Sequence, residues 1–518
     1  MNIILKKFTS FINIIFLLIS ILMFYFAIRS PIFNINNLTS EFLFFLIIFL
    51  LIISILLLNN KSRVFLVKGY DRCSKYFINN LSKISIGLFI VAIIIQIVII
   101  FLTTIPIGWD VAQIFKGVKN VMAGDNTRIS SYLSRYDNNS MYFYIMYALS
   151  SIGNLFIKTA GNTWIYWQLL NILILDVGII LLFLATKKLF DLKYAYSVAY
   201  LLAISMMFSP HLLIPYTDIM ALSLTCLMLY LYSIIHSSIK YRRYFITILL
   251  GIVVSITFLL KPSAIIVVIA FFVVSIIKAG YINIKKLSLV LIFFLSVLVT
   301  YQSYAVFKEK QNIIVYNVDD KFPETHWIMM GLTKSGGYNS SDVKKTGSIK
   351  GLKAKKEFNI KIIKERLSNY GLLNYTKFLF KKFANNVADG DFAYGFDGRQ
   401  QKQKKKANFK LQSVLRSFYY PNGQHIKDSK FIMHLSWLFT IVGLILAYTK
   451  KDNYYILVLK VSILGCLLFL LIFEGGRSRY IIQFLPLIYL VAIYGYYNFV
   501  NNKWYQKINN INYIKYKY

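Results

Sequence analysis

Apolar runs long enough to cross a bilayer recur along this chain, separated by polar segments rich in lysine, asparagine and tyrosine. A helix rises 1.5 Å per residue, so about 20 apolar residues cover the hydrocarbon core. Twelve such helices are expected: Phe11 to Ile28, Phe42 to Leu58, Ile84 to Ile105, Trp164 to Thr186, Tyr194 to Ser209, Asp218 to Ile235, Tyr244 to Leu260, Ser263 to Lys278, Leu287 to Phe307, Phe431 to Tyr448, Tyr454 to Phe473 and Tyr480 to Phe499. The first is too long for a signal-peptide core and has no small-residue cleavage site after it, so it is read as a retained helix.

One further apolar stretch, Tyr142 to Ile157, decides the topology. If it does not span, Lys61, Arg63, Lys68, Arg72 and Lys75, then Lys187 and Lys188, Lys240, Arg242 and Arg243, Lys285 and Lys286, and Lys450 and Lys451 all share one side with both termini, which the positive-inside bias makes cytoplasmic. If it spans, every basic loop after residue 160 moves outside. It is therefore read as an interfacial helix on the outer face, which suits Tyr142, Tyr144 and Tyr147.

That topology divides the chain into a two-helix segment with a basic cytoplasmic loop (1–83), a membrane core (84–307) with a first outer loop (106–163), an extracytoplasmic domain (308–430), C-terminal membrane helices (431–500) and a cytoplasmic tail (501–518). The domain is lysine-rich, but long loops translocate largely regardless of charge. Within it, Leu372 to Phe383 alternates apolar and basic residues, as a segment lying on a membrane would, and as a short soluble helix also would. The run Gln401 to Lys410 has no apolar periodicity and reads as a solvated loop near anionic headgroups. No internal repeat of the transporter kind is evident.

Composition sharpens this picture. With 57% hydrophobic and 15% charged residues, a soluble globular enzyme is excluded. Lys and Arg outnumber Asp and Glu by 58 to 21, and in so apolar a chain that excess belongs to loops facing anionic lipid or anionic substrate, not to nucleic acid. The three cysteines, Cys73, Cys226 and Cys466, are scattered, with no metal-ligand or disulfide spacing.

Candidate chemistry gathers at the helix ends assigned to the outer face. Asp110 follows a span directly; a carboxylate beside apolar walls serves as a general base toward a hydroxyl, or caps the helix Val111 to Met122. Lys261, Arg477 and Arg479 are cations at outer helix ends, suited either to a phosphate or to lipid headgroups. Arg477 and Arg479, two residues apart, face one phosphate together only if their link is not regular α-helix. His211, Tyr216 and Asp218 cluster near IPYT, with helix capping the alternative for Asp218. His326 lies in the large domain, and Asp389 and Asp391 form a DxD-like pair that a turn at Gly390 explains equally well. No metal is assigned. Asp176, Asn171 and Gln168 share the fourth span, where interhelical hydrogen bonding is the expectation.

A span ending in Asp110, the amphipathic DVAQIFKGVKNVMAGD, and a Tyr-x-Asn-Asn motif at Tyr136 to Asn139 opening an interfacial helix together resemble the GT-C membrane glycosyltransferases, closest to Gram-positive relatives of protein O-mannosyltransferases and aminoarabinose transferases. Further matches are IPYTDIMAL (214–222), LLKPSAII (259–266), HWIMMGL and GGYNSSD (326–342), VADGDFAYG (387–395) and EGGRSRYIIQFLPL (474–487), so the resemblance covers roughly 84–500. Two helices precede the usual start, and Asp137 stands where proline is common.

The resemblance implies an all-α polytopic membrane protein of GT-C type, with about twelve transmembrane helices and a mixed extracytoplasmic domain. It implies transfer of a sugar, with inversion, from a polyprenyl-phosphate carrier to a cell-envelope glycan on the outer face. Asp110 would be the base, Arg479, Arg477 and Lys261 would bind the donor phosphate, and Asp137, His211, Tyr216, Asp218 and His326 are candidates for substrate contact. No cofactor is implied beyond an unassigned divalent metal. The rival expectations are a polysaccharide polymerase or ligase, which needs no acid at 110, and a flippase or transporter, which predicts repeat symmetry and polar midplane residues.

Overall fold

The computed structural model describes residues 3–58, 73–235, 237–279, 284–333, 335–395, 406–449, 453–473 and 475–501. Lys61, Arg63, Lys68, Arg72, Lys450, Lys451, Glu474, the first half of the run Gln401 to Lys410, the tail beyond 501, and the side chains of Lys240, Lys285 and Lys286 lie outside the described residues.

The helices are α1 (Ile3–Ile28), α2 (Ser40–Leu58), α3 (Leu81–Thr103), α4 (Trp109–Met122), α5 (Thr127–Arg135), α6 (Ser140–Phe156), α7 (Trp164–Leu189), α8 (Leu192–Met206), α9 (Thr217–Ile235), α10 (Lys240–Leu260), α11 (Ile266–Ala279), α12 (Ile284–Lys310), α13 (Glu324–Met330), α14 (Ser340–Gly347), α15 (Leu352–Val387), α16 (Lys410–Tyr419), α17 (Ile426–Leu446), α18 (Tyr454–Ile472) and α19 (Leu485–Val500). Among the described residues nine helices are long and apolar enough to cross a membrane. Three shorter apolar helices, Ser40–Leu56, Leu192–Met206 and Pro262–Lys278, fall where the other three expected spans lie.

Hydrophobic burial drives no helix pairing inside lipid, so close packing and polar bonds must hold the bundle. α17 and α19 approach closely at two glycines, where a Cβ on Gly495 would stand 1.9 Å from the Gly443 carbonyl oxygen. Polar staples add specificity. Gln168 donates to the carbonyls of Ile105 (3.1 Å) and Leu213 (3.0 Å), and Asn171 to those of His211 (3.3 Å) and Leu212 (3.0 Å), so both serve as expected to tie α7 to neighbouring segments. Asp176 is buried beside Gln96 of α3, the interhelical polar partner expected of it. Lys460 of α18 is fully buried and donates to Asn13 Oδ1 (2.6 Å) and the Ala447 carbonyl (2.9 Å). An unpaired cation in a span costs about 2.5–3.5 kcal/mol, and carbonyls at the end of α17 answer that charge.

The long connections meet at one end of the bundle. α6 is not among the candidate spans; its Tyr142 hydroxyl donates to the Pro215 carbonyl, and Trp167 at the start of α7 donates to Ser150 and Gly161 (3.0 Å each). Its tip, Leu155, Phe156 and Ile157, is exposed. The segment 308–430 departs from the mixed architecture expected of it: its described residues form helices α13 to α16 and no strand. The 36-residue α15, which turns at Gly371, supplies the largest part of that helical content.

Candidate functional site

A cavity of about 450 Å³ opens at that end, within the roughly 300–1,000 Å³ usual for small-molecule sites. It gathers Trp109, Asp110 and Gln113 of α4, Tyr132 and Tyr136 at α5, Tyr216 before α9, Lys261 between α10 and α11, Trp327 of α13, Tyr338 before α14, and Arg477, Arg479 and Tyr480 before α19. Residues separated by up to 371 positions are thus neighbours, among them five of the candidates: Asp110, Tyr216, Lys261, Arg477 and Arg479.

Asp110 stands in the first turn of α4, directly after Trp109, whose left-handed backbone (φ 57°) makes a sharp corner. Such a conformation costs a bulky residue on the order of 1 kcal/mol or more. The carboxylate accepts from the Tyr132 hydroxyl (Oδ1, 2.8 Å) and the Tyr216 hydroxyl (Oδ2, 3.2 Å), which is not the capping alternative. Asn139 links the two phenols: its Nδ2 donates to Tyr132 Oη (2.8 Å) and its Oδ1 lies 3.2 Å from Tyr216 Oη. Burial, then the adjacent Asp110 charge, pushes both phenols well above their ordinary pKa, so they stay protonated and donate.

Across Tyr216 lies the cationic wall. The Arg479 guanidinium stands 5.4 Å from the centre of the Tyr216 ring and 5.5 Å from that of Tyr480, and Lys261 Nζ lies 5.6 Å from the Tyr480 ring. Asp218 is buried behind this wall, paired with Lys261 and, at 3.5 Å, with Arg479. It fixes the two cations without lining the cavity, whose lining carries three basic groups against one acid. Arg477 precedes the 3₁₀ helix Ser478–Phe484 in extended conformation, so the link is not regular α-helix and both arginines face the cavity.

A backbone crossing places Arg477. Gly475 N–H donates to the Gly336 carbonyl (2.9 Å), and a Cβ on Gly476 (φ 72°) would lie 2.0 Å from the Ser335 carbonyl oxygen. Buried Asn386 on α15 accepts from the amides of Gly476 (2.6 Å) and Arg477 (3.2 Å). The strand of chain bearing Tyr338 is thereby locked to the one bearing the arginines.

The other candidates lie elsewhere. His211 is buried and bonded through Nε2 to the Asp391 carbonyl (3.0 Å); burial lowers its pKa, the Asp391 carbonyl partly opposing. Asp137 is bridged by Lys308 and by Lys321 (3.0 Å), whose charges outweigh burial and hold its pKa below the ordinary carboxylate value. His326 is fully buried, with Nδ1 2.9 Å from Thr346 Oγ1 and a pKa pushed down by burial to about 4. Asp389 accepts from Ser30 (2.6 Å) and Asp391 pairs with Lys430 (2.8 Å), so the DxD-like pair joins α1, the turn and α17 and does not face the cavity. Among the described residues no three His, Cys, Asp or Glu side chains are grouped to hold a metal ion.

Several cavity residues had no assigned role in the sequence: Tyr132, Asn139, Trp109, Trp327 and Tyr338. Asn139, Trp327 and Tyr338 stand in the quoted motifs and Trp109 and Tyr132 close to them, but tyrosine and asparagine are so frequent here that only their meeting at one cavity separates these from the rest.

The architecture and the buried polar staples define an all-α integral membrane protein with many apolar helices. The chain belongs to the family described as conserved hypothetical integral membrane protein, which matches residues 4–499. No curated protein and no solved structure matches it.

Proposed function

We propose that this protein is a twelve-span glycosyltransferase of GT-C type, transferring a sugar from a polyprenyl-phosphate carrier to a cell-envelope glycan, with the cavity on the outer face and both termini cytoplasmic. The observation that carries the reading is the cavity itself: one phenol-oriented carboxylate, Asp110, across Tyr216 from Lys261, Arg477 and Arg479. The orientation draws on the positive-inside reading of the basic loops in the sequence.

The chemistry is one displacement. Asp110 takes the proton of the acceptor hydroxyl, the hydroxyl oxygen attacks the anomeric carbon, and the bond from that carbon to the phosphate oxygen breaks with inversion. The bonding pair leaves on the carrier phosphate, whose added charge Arg479, Arg477 and Lys261 stabilise. A polymerase or ligase would use the same cations but leaves Asp110 without a task.

Asp110→Asn keeps the hydrogen-bonding shape but accepts no proton near neutral pH, so transfer from a synthetic polyprenyl-phosphate sugar by purified protein should fall about 100- to 10,000-fold. Activity within a few-fold of the parent would remove Asp110 from the chemistry. In cells, deletion should remove one side-branch sugar and leave the backbone polymer intact; loss of all surface glycan would favour a flippase instead.

A further inference from the structure

Helix α15 turns a corner at Gly371 (φ 59°, ψ 174°), a conformation that only glycine adopts readily. Its second half, from Leu372, ends deep in the bundle. Phe383 meets Phe26 at the end of α1 (ring centres 6.2 Å apart), and Lys382 donates to the carbonyls of Leu471 (2.9 Å) and Phe473 (2.6 Å) at the end of α18. Trp437 of α17 donates to the Val387 carbonyl (2.8 Å). The far end of this half therefore lies at the level where α1 and α18 end, and Gly331, beside the Leu332 carbonyl that Tyr370 bonds, packs on the same Phe473 carbonyl, which keeps the corner near that level. The first half stacks over it: Tyr370 lies on Phe378 (5.1 Å), and Tyr370 and Arg366 bond the carbonyls of Leu332 (3.0 Å) and Met329 (2.6 Å).

From Lys382 to Leu372 the helix spans roughly 15 Å. Along it the buried positions are Phe378, Lys382 and Phe383, whereas Leu373 (77% exposed) and Phe380 (50%) share the other face with exposed Lys377 and Lys381, and Leu372 (82%) is exposed at the corner itself. Two leucines bare in water at a corner, beside lysines and at the height of span ends, suit the boundary of a bilayer. The leucines enter the acyl edge and the lysines meet anionic headgroups. The tip of α6, Leu155 to Ile157 followed by exposed Lys158, repeats that composition beside the start of α7.

We infer that the Leu372–Leu373 elbow of α15 is a membrane-docking foot that seats the large segment on an anionic lipid surface. The inference is independent of the transfer reaction. Its role is mechanical: α15 also carries Asn386, which holds the Arg477 loop, so the foot fixes one wall of the cavity relative to the bilayer.

The test uses the full chain with Cys73→Ser, because Cys73 is the exposed native thiol and Cys226 and Cys466 are buried. A bimane label at Leu373→Cys, and for comparison at Lys361→Cys on the first half, is examined in nanodiscs of phosphatidylglycerol and phosphatidylcholine. The Leu373 label should be quenched about three-fold more by shallow nitroxide lipids than the Lys361 label, and about three-fold less by aqueous iodide. Removing phosphatidylglycerol, or changing Lys377 and Lys381 to Gln, should reduce the lipid quenching. Equal behaviour at the two positions overturns the foot. Protection from iodide without lipid quenching overturns it too, since a protein surface would then be the occupant. Lipid quenching that ignores both the anionic lipid and the lysines refutes the anionic assignment.

Discussion

Asp110 is held by two phenols and no backbone amide, an arrangement that aims its carboxylate at the cavity. Tyr132→Phe removes one of the two orienting bonds, so transfer should fall with donor KM little changed; a kcat equal to the parent's would show that Tyr132 does not orient the working base. Arg479 is the matching test on the cationic wall. It stacks between Tyr216 and Tyr480 and pairs with Asp218, geometry that a planar guanidinium supplies and an ammonium does not. Arg479→Lys should lower transfer at every donor concentration, and Arg479→Ala further, at matched expression. Near-normal activity of the lysine variant would leave Arg477 or Lys261 as the phosphate contact.

At the scale of elements, the cavity depends on joints between helices that are far apart in the chain. The crossing of 335–337 with 475–477 leaves no space for a Cβ at Gly476 and requires its positive φ. Gly476→Ala should therefore displace Arg477 and lower transfer at least as much as Arg477→Ala, while the protein still inserts; transfer equal to the parent's would mean that the crossing yields easily. The joint of α13 with α14 carries a pH dependence through His326. Its folded pKa, about 4, lies below the ordinary value near 6.5, so the unfolded segment binds a proton first as pH falls. Stability of the joint is full above about pH 6.5 and is lost toward pH 4, by on the order of 2 kcal/mol at pH 5. Proteolysis within 324–347 should quicken between pH 7 and pH 5 in the parent and much less in His326→Gln; identical acid sensitivity in both would assign the effect to other groups.

For the whole molecule, the decisive quantity is which end of the bundle faces the cytoplasm. Asp125 and Ser340 are exposed at the cavity end, and Lys193 is exposed at the opposite one. In a Cys73→Ser background, cysteines at Asp125 and Ser340 should react with a membrane-impermeant thiol reagent in intact cells, and one at Lys193 should react only after permeabilisation. The reverse pattern would invert the protein and set the cavity among cytoplasmic substrates.

Apolar periodicity is a local quantity, and it sufficed for the helices and for the polar staples Gln168 and Asn171, because a bilayer demands satisfied backbones over a set length. Asp110, Lys261, Arg477 and Arg479 were also legible, as ionisable residues at span ends. Their meeting in one cavity was not, nor was the separation of His211, Asp137 and His326 from it, since each depends on contacts between segments up to hundreds of residues apart. The same holds for Asp218, whose carboxylate is spent on two cations, and for the large segment, whose helical character rests on packing that a lysine-rich sequence does not reveal. Sequence determines what a short stretch must do in lipid; only tertiary contact determines which charges face each other, because that choice is a sum over neighbours the chain brings together on folding.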